Sequence, residues 1–276
     1  MKEPGRFSLG GWLLELGAFW RSFQAARRTV RWSGGMGYHR HARRMRESFW
    51  RPFRHELDAW LQEWNPRART LFLVGPSGGY CLPSGFLGRF DRLVAFDLDS
   101  EAEARFRTTH SQTLASGKSL RWIRADALAL LTEGEGESLL LRELRQAGGG
   151  AVLFCNLLGQ VRFRWEDPEN DPGFRRWTLQ FRRTLEQIPE WASFHDRFSG
   201  ELVPREGRFE LPLAPSSSEE WLEVLVARSR NPGAQELLDH LTDSWLPRDR
   251  PRTLLRWEFT PGVFHWIECV TSGPSP

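Results

Sequence analysis

The sequence predicts an α/β fold: a mostly parallel sheet with helices on both faces, closed by an antiparallel hairpin and preceded by a helical extension. Three observations predict it. From residue 69 onward, short apolar runs alternate with segments of helical periodicity. Near the C-terminus the strand-like runs TLLRWEF and VFHWIECV flank Thr260-Pro261-Gly262, a turn so short that they must be antiparallel neighbours. The first 66 residues lack this alternation and carry a spaced set of tryptophans instead.

Residues 1–66 form the extension. Trp12, Trp20, Trp32, Trp50, Trp60 and Trp64 are interleaved with arginines, and Gly34, Gly35 and Gly37 divide the segment in two. Phe49, Trp50, Phe53, Leu57, Trp60, Leu61 and Trp64 recur at helical spacing, which gives the second helix one apolar face. Asn65-Pro66 ends it. Such a segment could stack on nucleic acid or lie on an anionic membrane, but it reads first as a lid or cap over the domain that follows, residues 67–271. There RTLFLVG (69–75), RLVAFDLD (92–99), SLRWIRAD (119–126) and GAVLFCN (150–156) read as parallel strands, with a fifth around 191–194. With the hairpin they make a seven-stranded sheet.

Helices fill the intervals at 100–110 and 137–148, and Pro172 sits well at the first position of PGFRRWTLQFRRTLEQIP. Residues 199–218 read as a long loop or irregular hairpin. Ser217 and Glu220 have capping-box spacing ahead of EEWLEVLVARSR, and AQELLDHLTDSWL reads as a further helix. Residues 272–276 read as a disordered tail.

At 276 residues the chain holds one large domain, or one domain with an appendage. Its composition, 40% hydrophobic and 26% charged, is that of an ordinary globular protein. No apolar run approaches the ~20 residues that span a membrane. Glu15 interrupts the short N-terminal apolar patch and no small-residue cleavage site follows, so no secretory signal is expected. Cys81, Cys155 and Cys269 make neither a disulfide framework nor a zinc spacing and suit a reducing cytoplasm. His39 and His41, among the arginines of YHRHARR, read as solvated, and no metal site is expected. A net charge of +3 is too slight to indicate nucleic acid.

The functional signal begins at LFLVGPSGGYCLP (71–83), where a buried-looking strand breaks into a glycine-rich loop. In an open parallel sheet, ligands bind beyond the carboxyl ends of the strands. Glycine lets a ligand approach the backbone closely, and Gly75, Ser77 and Gly79 give a small-residue pattern suited to that. The second strand ends in Asp97-Leu98-Asp99, and a carboxylate there can accept both hydroxyl hydrogens of a ribose. Asp99 or Ser100 serves equally as a helix N-cap. The third strand ends in Asp126-Ala127. Three successive strands thus deliver ligand-competent groups to one edge.

With VGPSGGY, AFDLD, IRADAL and the closing hairpin, residues 67–271 resemble the class I S-adenosylmethionine-dependent methyltransferases. The resemblance implies a Rossmann-like, mostly parallel sheet and S-adenosyl-L-methionine as cofactor. It implies that Gly75, Pro76, Ser77, Gly78, Gly79 and Tyr80 line the methionine and ribose portions. Asp97, with Leu98 beside it, would hold the ribose hydroxyls, and Asp126 with Ala127 would meet the adenine.

One departure is Leu73, which stands where the family usually places an acidic residue. A nicotinamide dinucleotide fingerprint fits less well, because Ser77 occupies its second glycine position.

Methyl transfer needs a positioned nucleophile and, for a weakly acidic one, a base. Asn156 and Gln160, after the fourth strand, can hydrogen-bond a substrate or the cofactor. Asn156 is also a natural strand-end turn former. The sequence NLLGQ is not the N-P-P-Y type of tetrad, so no adenine or glutamine acceptor is inferred. His195 and Asp196 on the fifth strand are candidate bases, although adjacent strand residues point to opposite faces. Arg162, Arg164 and Trp165, and the 199–218 insertion, are expected to overhang the site. The methyl acceptor, small molecule or macromolecule, is not identified. The rival reading is an S-adenosylmethionine-binding protein of this fold without turnover.

Overall fold

The structure, a computed structural model, describes residues 35–125, 138–233, 237–242 and 245–273. It holds nine strands in one sheet: β1 (Thr70–Val74), β2 (Arg92–Phe96), β3 (Ser119–Ile123), β4 (Ala151–Cys155), β5 (Trp191–Gly200), β6 (Arg208–Leu211), β7 (Leu237–Asp239), β8 (Arg252–Thr260) and β9 (Val263–Thr271). Their order is β3-β2-β1-β4-β5-β9-β8-β6, with β7 added beside β5. The first five pair in parallel, and β9 runs antiparallel between β5 and β8. From β1 the chain builds outward to β3, then returns to place β4 on the other flank of β1. Strand order reverses there, and a crevice must open at the carboxyl ends.

Burial explains why these segments are strands. β4 is buried along its whole length, and β1 and β2 along all but their first residue. A parallel strand covered on both faces needs the continuous apolar run that these segments carry. β3 lies at the edge and is half exposed.

The sheet exceeds the expected seven strands by β6 and β7. AQELLDHLTDSWL was expected as a helix, yet Leu237–Asp239 is a strand. The reason lies in β5, which runs ten residues while its pairing with β4 ends at Phe194. Beyond that point Phe198–Gly200 present unpaired backbone groups, and β7 pairs them antiparallel, Phe198 opposite Asp239. The Asp239 carboxylate also receives the fully buried Arg197 guanidinium, so the strand closes a charge as well as an edge.

β6 comes from the 199–218 insertion and pairs with β8 at the far edge. That strand is separated from β1, β2 and β4 by β5, β9 and β8, so it does not overhang the crevice as expected. Ser272, placed in a tail by sequence, exchanges two hydrogen bonds with Trp191 and so extends the β5–β9 pairing.

On one face of the sheet lie the N-terminal helices. Gly35 and Gly37 belong to the helix Gly35–Met45, and the break falls instead at 46–50, before the helix Arg51–Glu63. Phe53, Leu57, Trp60 and Leu61 are buried against the sheet, whereas Phe49 is exposed. The Trp50 indole N–H donates to the Phe259 carbonyl at 2.9 Å, and its ring meets Trp257 edge-on at 4.8 Å. Contrary to expectation His39 and His41 are buried, and His41 Nε2 lies 2.9 Å from the same Phe259 carbonyl. The opposite face is covered by the helices Leu139–Gln146 and Pro172–Glu186, with Phe174, Trp177 and Phe181 inward. Asp171 caps the latter helix through the Gly173 and Phe174 amides, as the Asp-Pro start predicts.

Trp50 therefore joins the extension to the sheet by packing and by a buried hydrogen bond. Trp50→Ala should cost about 3–5 kcal/mol, read as a lower urea midpoint at unchanged slope. A loss below about 1 kcal/mol would show that these helices lie outside the cooperative core.

Candidate functional site

A cavity of about 250 Å³ opens at the carboxyl ends of β1, β2 and β4. The loop after β1 lines it through Gly75, Pro76 and Ser77, and Tyr80, Cys81 and Leu82 follow. β2 contributes Asp97, Leu98 and Asp99 at its end, and β4 contributes Cys155, Asn156 and Leu157. The remaining walls are Gln160, Phe194 of β5, Trp257 of β8 and Tyr38 from the helix Gly35–Met45.

The loop is left-handed at three alternate residues: φ is +69° at Gly75, +49° at Ser77 and +67° at Gly79. Gly75 N–H donates to the Phe96 carbonyl and Gly79 N–H to the Pro76 carbonyl, both at 2.9 Å. The glycines were expected to admit a ligand, but their missing side chains face protein. A Cβ on Gly79 would stand 2.5 Å from His110 Nε2, one on Gly78 2.6 Å from the Tyr80 ring, and one on Gly75 3.2 Å from Leu157. His110 in turn sits 3.0 Å from the Gly79 carbonyl and 3.0 Å from Ser84 Oγ, bracing the loop from below. Glycine is needed here for the backbone's conformation and for this packing. Ser77 is the member that brings a side chain to the cavity: its Oγ is buried with no hydrogen-bond partner among the described residues.

Asp97 is tied to that loop. Its Oδ2 accepts from Ser77 N–H at 2.8 Å and its Oδ1 from Asp99 N–H at 3.0 Å. Burial pushes its carboxyl above the ordinary range, and the two amide donors act against that shift. Each oxygen keeps a lone pair for a ligand. Asp99 Oδ1 accepts from Glu101 N–H at 2.9 Å and so serves the turn ahead of the helix Ala102–Thr109. Leu98 is exposed at the cavity rim. Leu73 is fully buried in β1 and offers the site nothing polar. Asp126 and Ala127 lie outside the described residues.

Asn156 ends β4 with φ +50°, a conformation that Asn tolerates better than most residues. Its side chain is spent on β5: Oδ1 accepts from Asp196 N–H at 2.9 Å and Nδ2 donates to Asp196 Oδ2 at 3.3 Å. Asp196 Oδ1 lies 2.7 Å from His265 Nδ1. Burial pushes the Asp196 carboxyl up, but the charge and hydrogen bond of His265, with help from His240 and Asn156, more than offset it and leave its pKa below the usual range.

His195 does not face the cavity. It is wholly buried on the opposite face, between Ser193 Oγ at 2.9 Å and Glu268 Oε2 at 3.2 Å. The strand alternation that separates His195 from Asp196 also removes it as a base at this site. Arg162, Arg164 and Trp165 do not line the cavity either. Arg162 reaches the Asp239 carbonyl, and Trp165 packs on Phe174 and Trp177.

Trp257 and Tyr38, which line the cavity, and His265, which holds Asp196 behind it, were not read from the sequence as site residues. For His265 the signal existed: in VFHWIECV the alternation puts His265, Ile267 and Cys269 on one face.

No protein-family model matches the sequence, and no curated protein does. Comparison with solved structures returns methyltransferases. One is the magnesium protoporphyrin IX methyltransferase of Synechocystis PCC 6803 with bound S-adenosylmethionine, at 11% identity and TM-score 0.37, covering 79% of each chain. Another is an O-methyltransferase family protein of Burkholderia thailandensis, at 14% identity and TM-score 0.36, covering 92% of this chain and 70% of that one. Likeness this distant leaves the chemistry to be read from the site itself. Among the described residues no cluster of three or more His, Cys, Asp or Glu could hold a metal ion, and no helix is long and apolar enough to cross a membrane.

Behind β5 lies a buried ionic cluster on the face away from the cavity. Glu268 receives Arg252 Nε at 2.5 Å, with His195 Nε2 and Thr242 Oγ1 each at 3.2 Å. Burial alone would raise its pKa, but these partners outweigh burial and bring it to about 2. His240, between Ser199 Oγ and the Gly159 carbonyl, is lowered by burial to about 4. Both folded-state values are depressed, so the unfolded chain binds more protons as pH falls.

Stability should therefore be full near pH 7 and decline from about pH 6.5 toward 4 as His240, and His110, which burial likewise lowers to about 4, titrate in the unfolded chain. It should decline again below about pH 4.5 as Glu268 does the same. Urea unfolding at pH 7 and pH 5 tests this: His240→Gln should reduce the difference between the two, leaving the share of His110, and an unchanged difference would refute the assignment.

Proposed function

We propose that this chain is an S-adenosylmethionine-dependent methyltransferase of class I type, acting on an O or N nucleophile. The observation that carries the reading is the cavity at the reversal of strand order, where a left-handed loop and Asp97 face one space. The described residues fit an adenosyl ligand in two respects. The Ser77 hydroxyl is buried and unpartnered, and Asp97 keeps acceptor capacity after binding the loop. Bound here, the cofactor would supply a methyl group on a positively charged sulfur.

In this reading Asp97 holds the ribose hydroxyls, Ser77 and the backbone of Gly75–Gly79 line the adjoining portion, and Asp126 with Ala127 takes the adenine. Leu73 brings no carboxylate for the cofactor's amino group, which leaves main-chain carbonyls as its acceptors. On the acceptor side stands Asn156 in the cavity wall, with Asp196 buried behind it. Asp196 is fixed by two neighbours and its pKa is lowered, so it orients a donor or faces a positive charge more readily than it takes a proton.

That last point also supports the rival reading, a binding protein without turnover. Calorimetry with S-adenosylhomocysteine addresses the first half of the question. Asp97→Ala should weaken binding by about ten- to a hundredfold, the worth of one or two charge-assisted hydrogen bonds. Equal affinity in the two proteins, or binding of NADH in preference, would discard the proposal. Binding without transfer of labelled methyl to any metabolite or macromolecule fraction would favour the rival.

A further inference from the structure

The helix Gly35–Met45 is the part of the cavity wall that the chemistry above does not use. It contributes Tyr38 to the lining, and the next residue, His39, is 1% exposed. His39 Nδ1 lies 3.1 Å from the Tyr80 hydroxyl, and its Nε2 lies 3.1 Å from Asp99 Oδ2, near enough for a salt link though off the hydrogen-bond axis. Gly35 N–H donates to the same Asp99 oxygen at 2.9 Å. A residue of the extension thus bridges the end of the β1 loop and the end of β2, the two segments that frame the cavity. Asp99 thereby differs from Asp97: both acids line the cavity, but Asp99 is also engaged by the extension.

We propose that this helix completes the nucleoside site: Tyr38 is the wall against which the ligand packs, and His39 is a positioning residue whose two contacts hold that wall closed. The proposal takes its ligand from the methyltransferase reading and is independent of that reading for the closing wall. Physical argument favours a helix that can release. At 11 residues it is below the length at which an isolated helix is stable, so its contacts decide its position. Those contacts are unevenly spread. His41, on the Phe259 carbonyl, and the buried Ala42 anchor the C-terminal half. Among the described residues, the N-terminal half, which carries Tyr38, has its polar ties through His39 and the Gly35 amide, with the Tyr38 ring against Trp50 and Tyr80. The side chain of Tyr38 also meets Tyr80 at 6.1 Å between ring centres, so the catch and the wall share one neighbour.

Cys81 reports the opening directly. It lines the cavity, and burial pushes its thiol up to about 12, which makes it inert to thiol reagents while the wall is shut. Cys269, on β9, is buried but does not line the cavity, and serves as the control. The full-length protein is treated with N-ethylmaleimide, with and without S-adenosylhomocysteine, and each cysteine is followed by mass spectrometry.

His39→Ala should speed modification of Cys81 by about tenfold, the equivalent of one lost buried hydrogen bond, with Cys269 unchanged. Tyr38→Ala should lose about tenfold in protection by the ligand, and Tyr38→Phe should retain it. A wild-type Cys81 rate in His39→Ala overturns the proposal, as does a parallel rise at Cys269, which marks general unfolding. If His39→Ala accelerates Cys81 but the ligand protects neither protein, the closing wall stands and the methyltransferase reading falls.

Discussion

The hydrogen bond from the Ser77 amide to Asp97 is the contact on which the site depends. It ties the loop leaving β1 to the end of β2, and so fixes two adjacent strand ends at the reversal of strand order. A loop with left-handed φ at residues 75, 77 and 79 would be strained without such a tie, and Ser77, the non-glycine among them, is the one held by a side chain. The same bond offsets the burial of the carboxylate. Asp97 is removed from water, which raises its pKa, while two amide donors favour its charged form. Loop and acid each supply the other's missing partner, so the cavity surface is built before any ligand arrives and binding need not order it.

The supports around that contact come from distant parts of the chain. His110 fills the space that a side chain on Gly79 would need, and Leu157 does the same at Gly75. The Phe259 carbonyl draws both His41 and Trp50 toward the hairpin from more than two hundred residues away in sequence. This explains what the sequence shows and what it hides. The strands β1, β2, β4 and the start of β5 are legible because burial on both faces demands uninterrupted apolar runs. The loop and Asp97 are legible because the strand ends where the apolar run ends.

β7 is not legible, since its three residues fit a helix equally well and became a strand only to pair the overhang of β5. His39 and His41 sit among arginines, and local polarity says nothing of an acid or a carbonyl brought up by the fold. His195 stood in a plausible position by sequence, but the face it takes follows from the register of β5 against β9, where it lies opposite Glu268.

The register also decides what chemistry the acceptor side can offer. His195 and Glu268 belong to a buried cluster with Arg252, and the ion pairs there satisfy one another. Asp196 stands behind the cavity wall, buried against the lining residue Asn156, and Asn156 and His265 occupy its oxygens and keep it ionised at neutral pH. A carboxylate of depressed pKa is a weak proton acceptor, so removal of a proton from an alcohol gains little from it. Orientation of the nucleophile, and charge stabilisation of any cationic group on the acceptor, are what such a residue does well. The described geometry of β5 thus supplies a fixed carboxylate that steadies Asn156 in the cavity wall, rather than a side chain poised to take a proton.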